Sequence, residues 1–564
     1  MRTLKYILIF FLLANISSCD LLDKDPYMLT PETYFNDEGE LQKFLLGVYS
    51  PIMQEYFYGN YYPLYMAGGD DLGFYQRSTP YSSILCANAN SGTSEIMQAW
   101  RNLYEGVNRA NMLLESADKN PSINKDMRDE VKAEALFLRS FYYFNLVQGW
   151  GDVPFRLEST KSANNLNMAR TDKQIIYDKI IEDIITAIPL LPTSDKLNHT
   201  GTVTQSAAQG MLARIYLFRA GEHYRDNEAP HPDNRKFYEE AKFWAMKVKE
   251  SGLHELVSPY NRVFMDLMED KYNSTGIRES IWEAEEAGNL STATYAAGRI
   301  GNVIGFGSAV DHSAVVDLKE KTGMANPGYS YRFIYNSLKL YDMYESEGDI
   351  ARGDWNIAPY EYDYDLAQPR KVIGRKYYFG KLPEGLTEVE GFPCTELSDV
   401  ASVNKVRCVG KYRREHELLT PKTKNYTPIN FPILRYSDVL LMIAEAENEL
   451  NGSTELAYEC INKVRNRAGI KELSGLPKQE LFEAIKKERA MELCYEAIRR
   501  WDLIRWGEFY STMTGMSSYL SRPEWSPSFS YAGNYYRVNS AYNYYPIPDW
   551  ELSTNKLAVQ NIGW

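Results

Sequence analysis

Cysteine and histidine are both scarce in this chain, six of each in 564 residues. After Cys19 the cysteines Cys86, Cys394, Cys408, Cys460 and Cys494 form an odd, scattered set, which is no disulfide framework. The histidines include no His-Glu-x-x-His, and Cys-x-x-Cys is absent, so nothing indicates a zinc site. Gly-x-Ser-x-Gly is also absent. The glycine-rich piece at Gly298, Gly301, Gly305 and Gly307 lacks the Gly-Lys-Ser/Thr ending of a phosphate loop. Asp70 and Asp71 alone fall short of the six to eight oxygens that calcium takes. Neither a metal nor a cofactor is therefore expected. Positive charge is in deficit too, with 62 Lys and Arg against 75 Asp and Glu and no basic run. Nucleic acid is not an expected partner, because the electrostatic attraction that dominates phosphate-backbone binding is missing.

One apolar run stands out, Tyr6 to Ala14, preceded by Arg2 and Lys5 and followed by Ile16-Ser17-Ser18 and Cys19. It is too short to span a bilayer, and small residues lead into the cysteine, so residues 1–18 read as an export signal. The spacing resembles the lipobox of bacterial lipoproteins, which would leave Cys19 as an acylated N-terminus. Several acyl chains there would hold the protein on a membrane, at about 0.8 kcal/mol per buried methylene.

What is abundant is helical pattern and tyrosine. In Ala133–Phe155 only Glu134, Asn145 and Gln148 share a narrow polar strip, so the helix needs neighbours on several sides. Arg139 lies outside that strip and calls for water or an acidic partner on an adjacent helix. Further helices are expected at 31–50, 96–116, 171–190, 205–220 and 235–250, then at 431–451, 453–467 and 477–506. Thr204 is placed to cap one helix and Gly221 to end it, while Ser206, Gly210 and Ala213 give a small-residue face for close approach. Short connections make these helices antiparallel hairpins, and hairpins stack. The chain divides after its signal into 19–252, with helical hairpins; 253–430, irregular and loop-rich; and 431–564, which returns to complete the helical lobe. The fold class is mainly α, with tetratricopeptide-like hairpins against a loop-rich lobe carrying a few short strands.

Glu488, Glu492 and Glu496 stand four apart near Arg489, Arg499 and Arg500. A glycosidase needs its two carboxyls across a cleft, about 5 to 9 Å apart, so carboxylates on one helical ladder suit ion pairing instead. No catalytic residue is assigned. Tyrosine, at 44 residues against 22 phenylalanines, often falls outside helical pattern. A flat ring with a hydroxyl suits a ligand with an apolar C–H face and polar edges, as a sugar has. Candidate ligand residues are Phe74, Tyr75, Tyr81, Tyr329, Tyr331, Trp355 and Tyr360, in glycine- and proline-flanked stretches, with Asp71 and Arg77 to bond hydroxyls at a ring edge. Trp355 is the leading single candidate.

Along nearly its whole length the chain resembles the SusD/RagB family of outer-membrane nutrient-binding lipoproteins of the Bacteroidetes. The resemblance is carried by Cys19 with DLLDKDP, WRNLYEGVNRAN, AEALFLRSFYYFNLVQGWGDVPF, VTQSAAQGMLARIYLFRAG, ESIWE, GDIARGDW, FPILRYSDVLLMIAEAENE, ERAMELCYEAIRRWDLIRWG and the closing YPIP and QNIGW, in that order. It implies a lipid-anchored protein exposed on the outer membrane. It further implies capture of an oligosaccharide, delivery to a SusC-like TonB-dependent transporter, and no catalysis. A peptide ligand, as for RagB-like relatives, and a purely structural tetratricopeptide scaffold are the alternatives.

Overall fold

The computed structural model describes residues 35–77, 83–162, 166–197, 199–271, 278–288, 298–305, 326–364, 372–377, 385, 387–389, 392–396 and 405–564. The export signal, Cys19 and Tyr81 lie outside them. Among the described residues six helices come first: α1 Glu38–Met53, α2 Ser94–Ser116, α3 Lys125–Trp150, α4 Lys173–Ala187, α5 Gln205–Asp226 and α6 Asn234–Glu250. Each packs on the next or next but one. Helix α7, Tyr436–Asn451, then takes the following place in the stack, against α6, and is followed by α8 Glu455–Ala468 and α9 Lys478–Leu493. The two ends of the chain thus build one helical lobe around the segment between them. No described helix is long and apolar enough to cross a membrane.

α3 is the hub, and even its polar strip is buried. Glu134 accepts from the Tyr49 hydroxyl, Gln148 from that of Tyr62 at 2.9 Å, and Asn145 donates to the Phe141 carbonyl. Arg139 finds its acid on α4, with Asp183 at 2.5 Å and Asn111 Oδ1 at 3.0 Å. A charge held this way inside a helix stack is paired and hydrogen-bonded, as burial requires.

Four expected boundaries move. α5 runs through Gly221 to Asp226 and ends at Asn227 in the left-handed conformation, φ 57°. Gly221 is needed for approach instead: a Cβ there would stand 2.2 Å from the Arg505 carbonyl oxygen. Gly210 likewise admits the Leu434 side chain, so that part of the small-residue face receives a strand rather than a helix. Residues Phe431–Arg435 are that strand, antiparallel to Ser280–Ala284, ahead of α7. Thr454, not Ser453, caps α8 by accepting from Ala457 N. The pattern at 477–506 is two helices, α9 and α10, Arg499–Arg505, separated by a turn in which Tyr495 and Ala497 have φ near +60°.

The strands are short: β1 Gly73–Tyr75, β2 Val153–Pro154, β3 Arg170–Thr171, β4 Ser280–Ala284, β5 Ile334–Asn336, β6 Tyr360–Tyr364, β7 Val372–Tyr377, β8 Glu388–Val389, β9 Phe392–Glu396 and β10 Phe431–Arg435. β1 pairs with β5, β2 with β3 and β4 with β10, while β6-β7-β9-β8 form a four-stranded sheet with β7 and β9 parallel. Most belong to the irregular lobe, which is tied to the helical one by a seam of charge. Glu488 is bonded to Arg352 and Arg465, at 2.6 and 2.9 Å. Glu492 meets Arg352, Arg435 and Arg467, and Glu496 meets Lys411 and Arg435. The turn after α9 serves this seam: Lys411 Nζ donates to the carbonyls of Glu492 and Cys494 freed at the helix end. The expected ladder is therefore an ion-pair array, but an internal one drawing its cations from other elements. Arg489 pairs with Asp438 and Asp502, and Arg499 with Asp71.

Candidate functional site

Several of the candidate residues are inside the protein. Asp71 is fully buried, held by Arg499 in a two-pronged pair at 2.8 and 2.9 Å and by Lys339 at 2.6 Å. Against the cost of burial, these cations keep its carboxyl well below the usual range. It has no free edge for a sugar hydroxyl. Its neighbour Asp70 is pushed up to about 7, first by burial and then by Asp71. Phe74 is fully buried among Trp525, Phe529 and Tyr335. Tyr360 is buried with its hydroxyl donating to Glu415 at 2.7 Å. Trp355 is 7 % exposed, with the Arg413 guanidinium 4.1 Å from its ring centroid and His416 at 5.9 Å. Glycine-flanked loops did not leave these rings outside, because other segments of the irregular lobe and of 509–545 close over them.

Three other aromatics do reach the surface, and one backbone device presents them. β1 and β5 pair Tyr75 with Ile334, and the ladder continues with Gln76 N donating to the Phe333 carbonyl. Upstream, Tyr331 N and Phe333 N donate to the carbonyls of Asn302 and Val303. These bonds hold residues 329–333 in place without making them a strand, since Arg332 sits in the left-handed conformation at φ 47°. Ser330 turns inward and its hydroxyl bonds the Asn302 and Gly305 carbonyls, while Arg332 pairs with Glu361. Tyr329, Tyr331 and Phe333 share the other side and are partly exposed. Tyr329 and Tyr331 have ring centroids 5.0 Å apart at 84°; Tyr331 and Phe333 lie 5.3 Å apart and nearly parallel, at 8°. Tyr75, itself buried, backs Phe333 at 5.5 Å.

Polar groups lie over and beside this run. Arg77 is exposed, with its guanidinium 4.9 Å from the Phe333 centroid and Nη2 donating to the Tyr331 carbonyl at 3.2 Å. Lys424 lies over Tyr329 at 4.7 Å, and the Tyr331 hydroxyl donates to Asn425 Oδ1 at 3.4 Å. One buried residue, Arg414, fixes their relation. Its guanidinium donates to the carbonyls of Tyr329, Thr423, Lys424 and Tyr426, anchored by Glu417 at 2.7 Å. Of the sequence candidates, the structure brings together Tyr75, Arg77, Tyr329 and Tyr331. It keeps Trp355 and Tyr360 apart from them, beside Arg413 and Glu415. Phe333, Lys424, Asn425 and Arg414 were missed; the alternation Tyr-Ser-Tyr-Arg-Phe hints at rings on one side, but the left-handed Arg332 means that the run is not a strand.

A family model described as "SusD family" matches residues 396–564, and one described as "Starch-binding associating with outer membrane" matches residues 20–217. SusD-like protein P25 of Formosa agariphila is 26% identical over 100% of this chain and 98% of its own length. The starch-binding protein SusD of Bacteroides thetaiotaomicron is 23% identical over 77% of this chain and 72% of its own length. Among solved structures, a SusD homolog from Bacteroides thetaiotaomicron superposes with a TM-score of 0.79 at 24% identity, covering 95% of this chain and 98% of the other. A laminarin-binding SusD-like protein superposes at 0.66 with 22% identity, covering 94% and 100%.

Proposed function

The chain belongs to the SusD family, and on that premise we propose that it is a glycan-binding protein whose ligand lies along Tyr329, Tyr331 and Phe333. The observation that carries this reading is the run itself: three rings in contact with one another, partly exposed, held from behind by backbone bonds and Arg414, with Arg77 over Phe333, Lys424 over Tyr329 and Asn425 at the Tyr331 hydroxyl. Ring faces cover the C–H face of a sugar while the edge groups bond its hydroxyls. The starch- and laminarin-binding names of its relatives support a saccharide ligand over a peptide.

On this reading the protein acts by capture and not by cleavage, and the burial of Glu488, Glu492 and Glu496 in ion pairs supports it. It is anchored through acylated Cys19, stands on the outside of the outer membrane, and passes its glycan to a SusC-like TonB-dependent transporter. The lipobox-like sequence and the membrane-associated family description support that placement. Calorimetry against a panel of oligosaccharides tests the site. Replacing Tyr329, Tyr331 and Phe333 together by alanine abolishes binding of the cognate oligosaccharide with circular dichroism unchanged; unaltered affinity would put the site elsewhere. Cys19→Ala releases the protein from membranes on fractionation.

A further inference from the structure

Beyond its ladder with β10, β4 continues into Glu285-Glu286-Ala287 and lines a cavity of about 360 Å³. Five carboxylates border it, Asp266, Asp270, Glu283, Glu285 and Glu286, against the basic side chains His199 and Lys271. Three of the five are engaged. Asp266 pairs with Arg262, Glu283 accepts from Asn430 Nδ2 at 3.0 Å, and Glu285 accepts from the amides of Thr200 and Gly201 at 3.0 and 2.8 Å. Glu286 differs. It is only 7 % exposed, and among the described residues neither carboxyl oxygen has a hydrogen-bond partner. The Gly298 amide lies near enough to favour its ionised form a little, without the geometry of a bond. Buried carboxyls are nearly always given donors, so one without them is complementary to a ligand that brings its own. Burial also pushes Glu283 up to about 7 and Glu286 well above its ordinary value, which an incoming positive charge would reverse. Among the described residues no three His, Cys, Asp or Glu are grouped to hold a metal ion. The acceptors surround a space instead of converging on a point, which suits an organic cation.

We propose that this cavity binds the protonated primary amine of a ligand, with the ammonium donating to Glu286 and Glu283. An ammonium has three donors and no acceptor, the complement of such a wall. An amino sugar and a lysine side chain both carry that group. The inference does not rest on the aromatic run, which uses none of these residues.

The test is calorimetry on the whole protein with glucosamine, N-acetylglucosamine, Nα-acetyl-lysine amide and calcium chloride as separate titrants. Binding of glucosamine, of the lysine derivative or of both supports the proposal and identifies the source. Support also requires Glu286→Gln to weaken binding by about tenfold or more, as loss of a charged hydrogen bond does. N-acetylglucosamine, whose nitrogen is an uncharged amide, should not bind here. Equal affinity for the acetylated sugar, no binding of either amine, or calcium binding that Glu286→Gln abolishes would overturn it. Glutamine keeps the shape of glutamate, and Glu283→Gln gives a second reading should Glu286→Gln fail to fold. Tyr331→Ala separates this site from the proposed glycan site, because it should leave amine binding intact.

Discussion

The seam around Glu488–Glu496 and the run Tyr329–Phe333 are both made of side chains with strong directional interactions, but one closes its interactions within the chain and the other turns them outward. In the seam, each carboxylate meets cations from several elements and is withdrawn from water. In the run, backbone and buried side chains do the holding, and the rings stay partly open to solvent. The difference is in what stands behind each: charge buried in a seam is fixed by its partners, whereas exposed rings need a scaffold that asks nothing of them. Stability should therefore be concentrated in the seam and binding in the run, and mutations should separate the two.

The largest effect expected is from Arg435→Met, which leaves Glu279, Glu492 and Glu496 short of a cation. Breaking a buried ion pair by removing one partner costs about 3–5 kcal/mol, and chemical denaturation should show a loss of that order with oligosaccharide affinity of the folded fraction unchanged. Next comes a contrast between two aromatics. Trp355→Ala should cost about 3 kcal/mol of stability and leave affinity alone, because its ring is packed inside. Tyr331→Ala should do the reverse, weakening binding by tens of fold, about 2 kcal/mol, at an unchanged melting temperature. If Trp355→Ala weakened binding while Tyr331→Ala did not, the division between the two regions would fail.

The smallest effect is one of pH. Burial pushes Glu134 up to about 8, and burial with Asp71 pushes Asp70 up to about 7. A carboxyl whose folded pKa is raised binds more protons folded than unfolded above pH 4, so stability falls as pH rises toward the folded value. Below about 6.5 this is opposed by His254, whose pKa burial lowers to about 4. Melting temperature should thus decline between pH 6.5 and 8, and Glu134→Gln should flatten that decline.

Helix positions were legible in the sequence because period and burial agree, and Arg139 with Asp183 shows that even a buried partner can be anticipated from an apolar helix. The site was half legible. Tyr329, Tyr331 and Arg77 came from composition, but Trp355, Phe74 and Asp71 sit in the same kind of stretch and are buried. Exposure of a loop residue is decided by which distant segment packs over it, as Trp525 and Phe529 do for Phe74. No local pattern carries that information. The ladder was rightly read as ion-paired but its cations were not legible for the same reason, since those of Glu488 and Glu492 come from Arg352, Arg435, Arg465 and Arg467, the first two far from their helix in sequence.

The packing of α7 on α6 sets an order of events during synthesis. The two touch through Lys242 and Glu447 at 3.0 Å, yet the whole irregular segment 251–435 is made between them. Until residue 451 has left the ribosome, the side of α6 that α7 covers has no partner, and joining it closes a long loop, which is slow. On the export route proposed above, a chain of this topology crosses the inner membrane with its N-terminal stack still unfinished. It should then depend on holding factors in the periplasm more than a protein whose helices pack strictly in the order they are made.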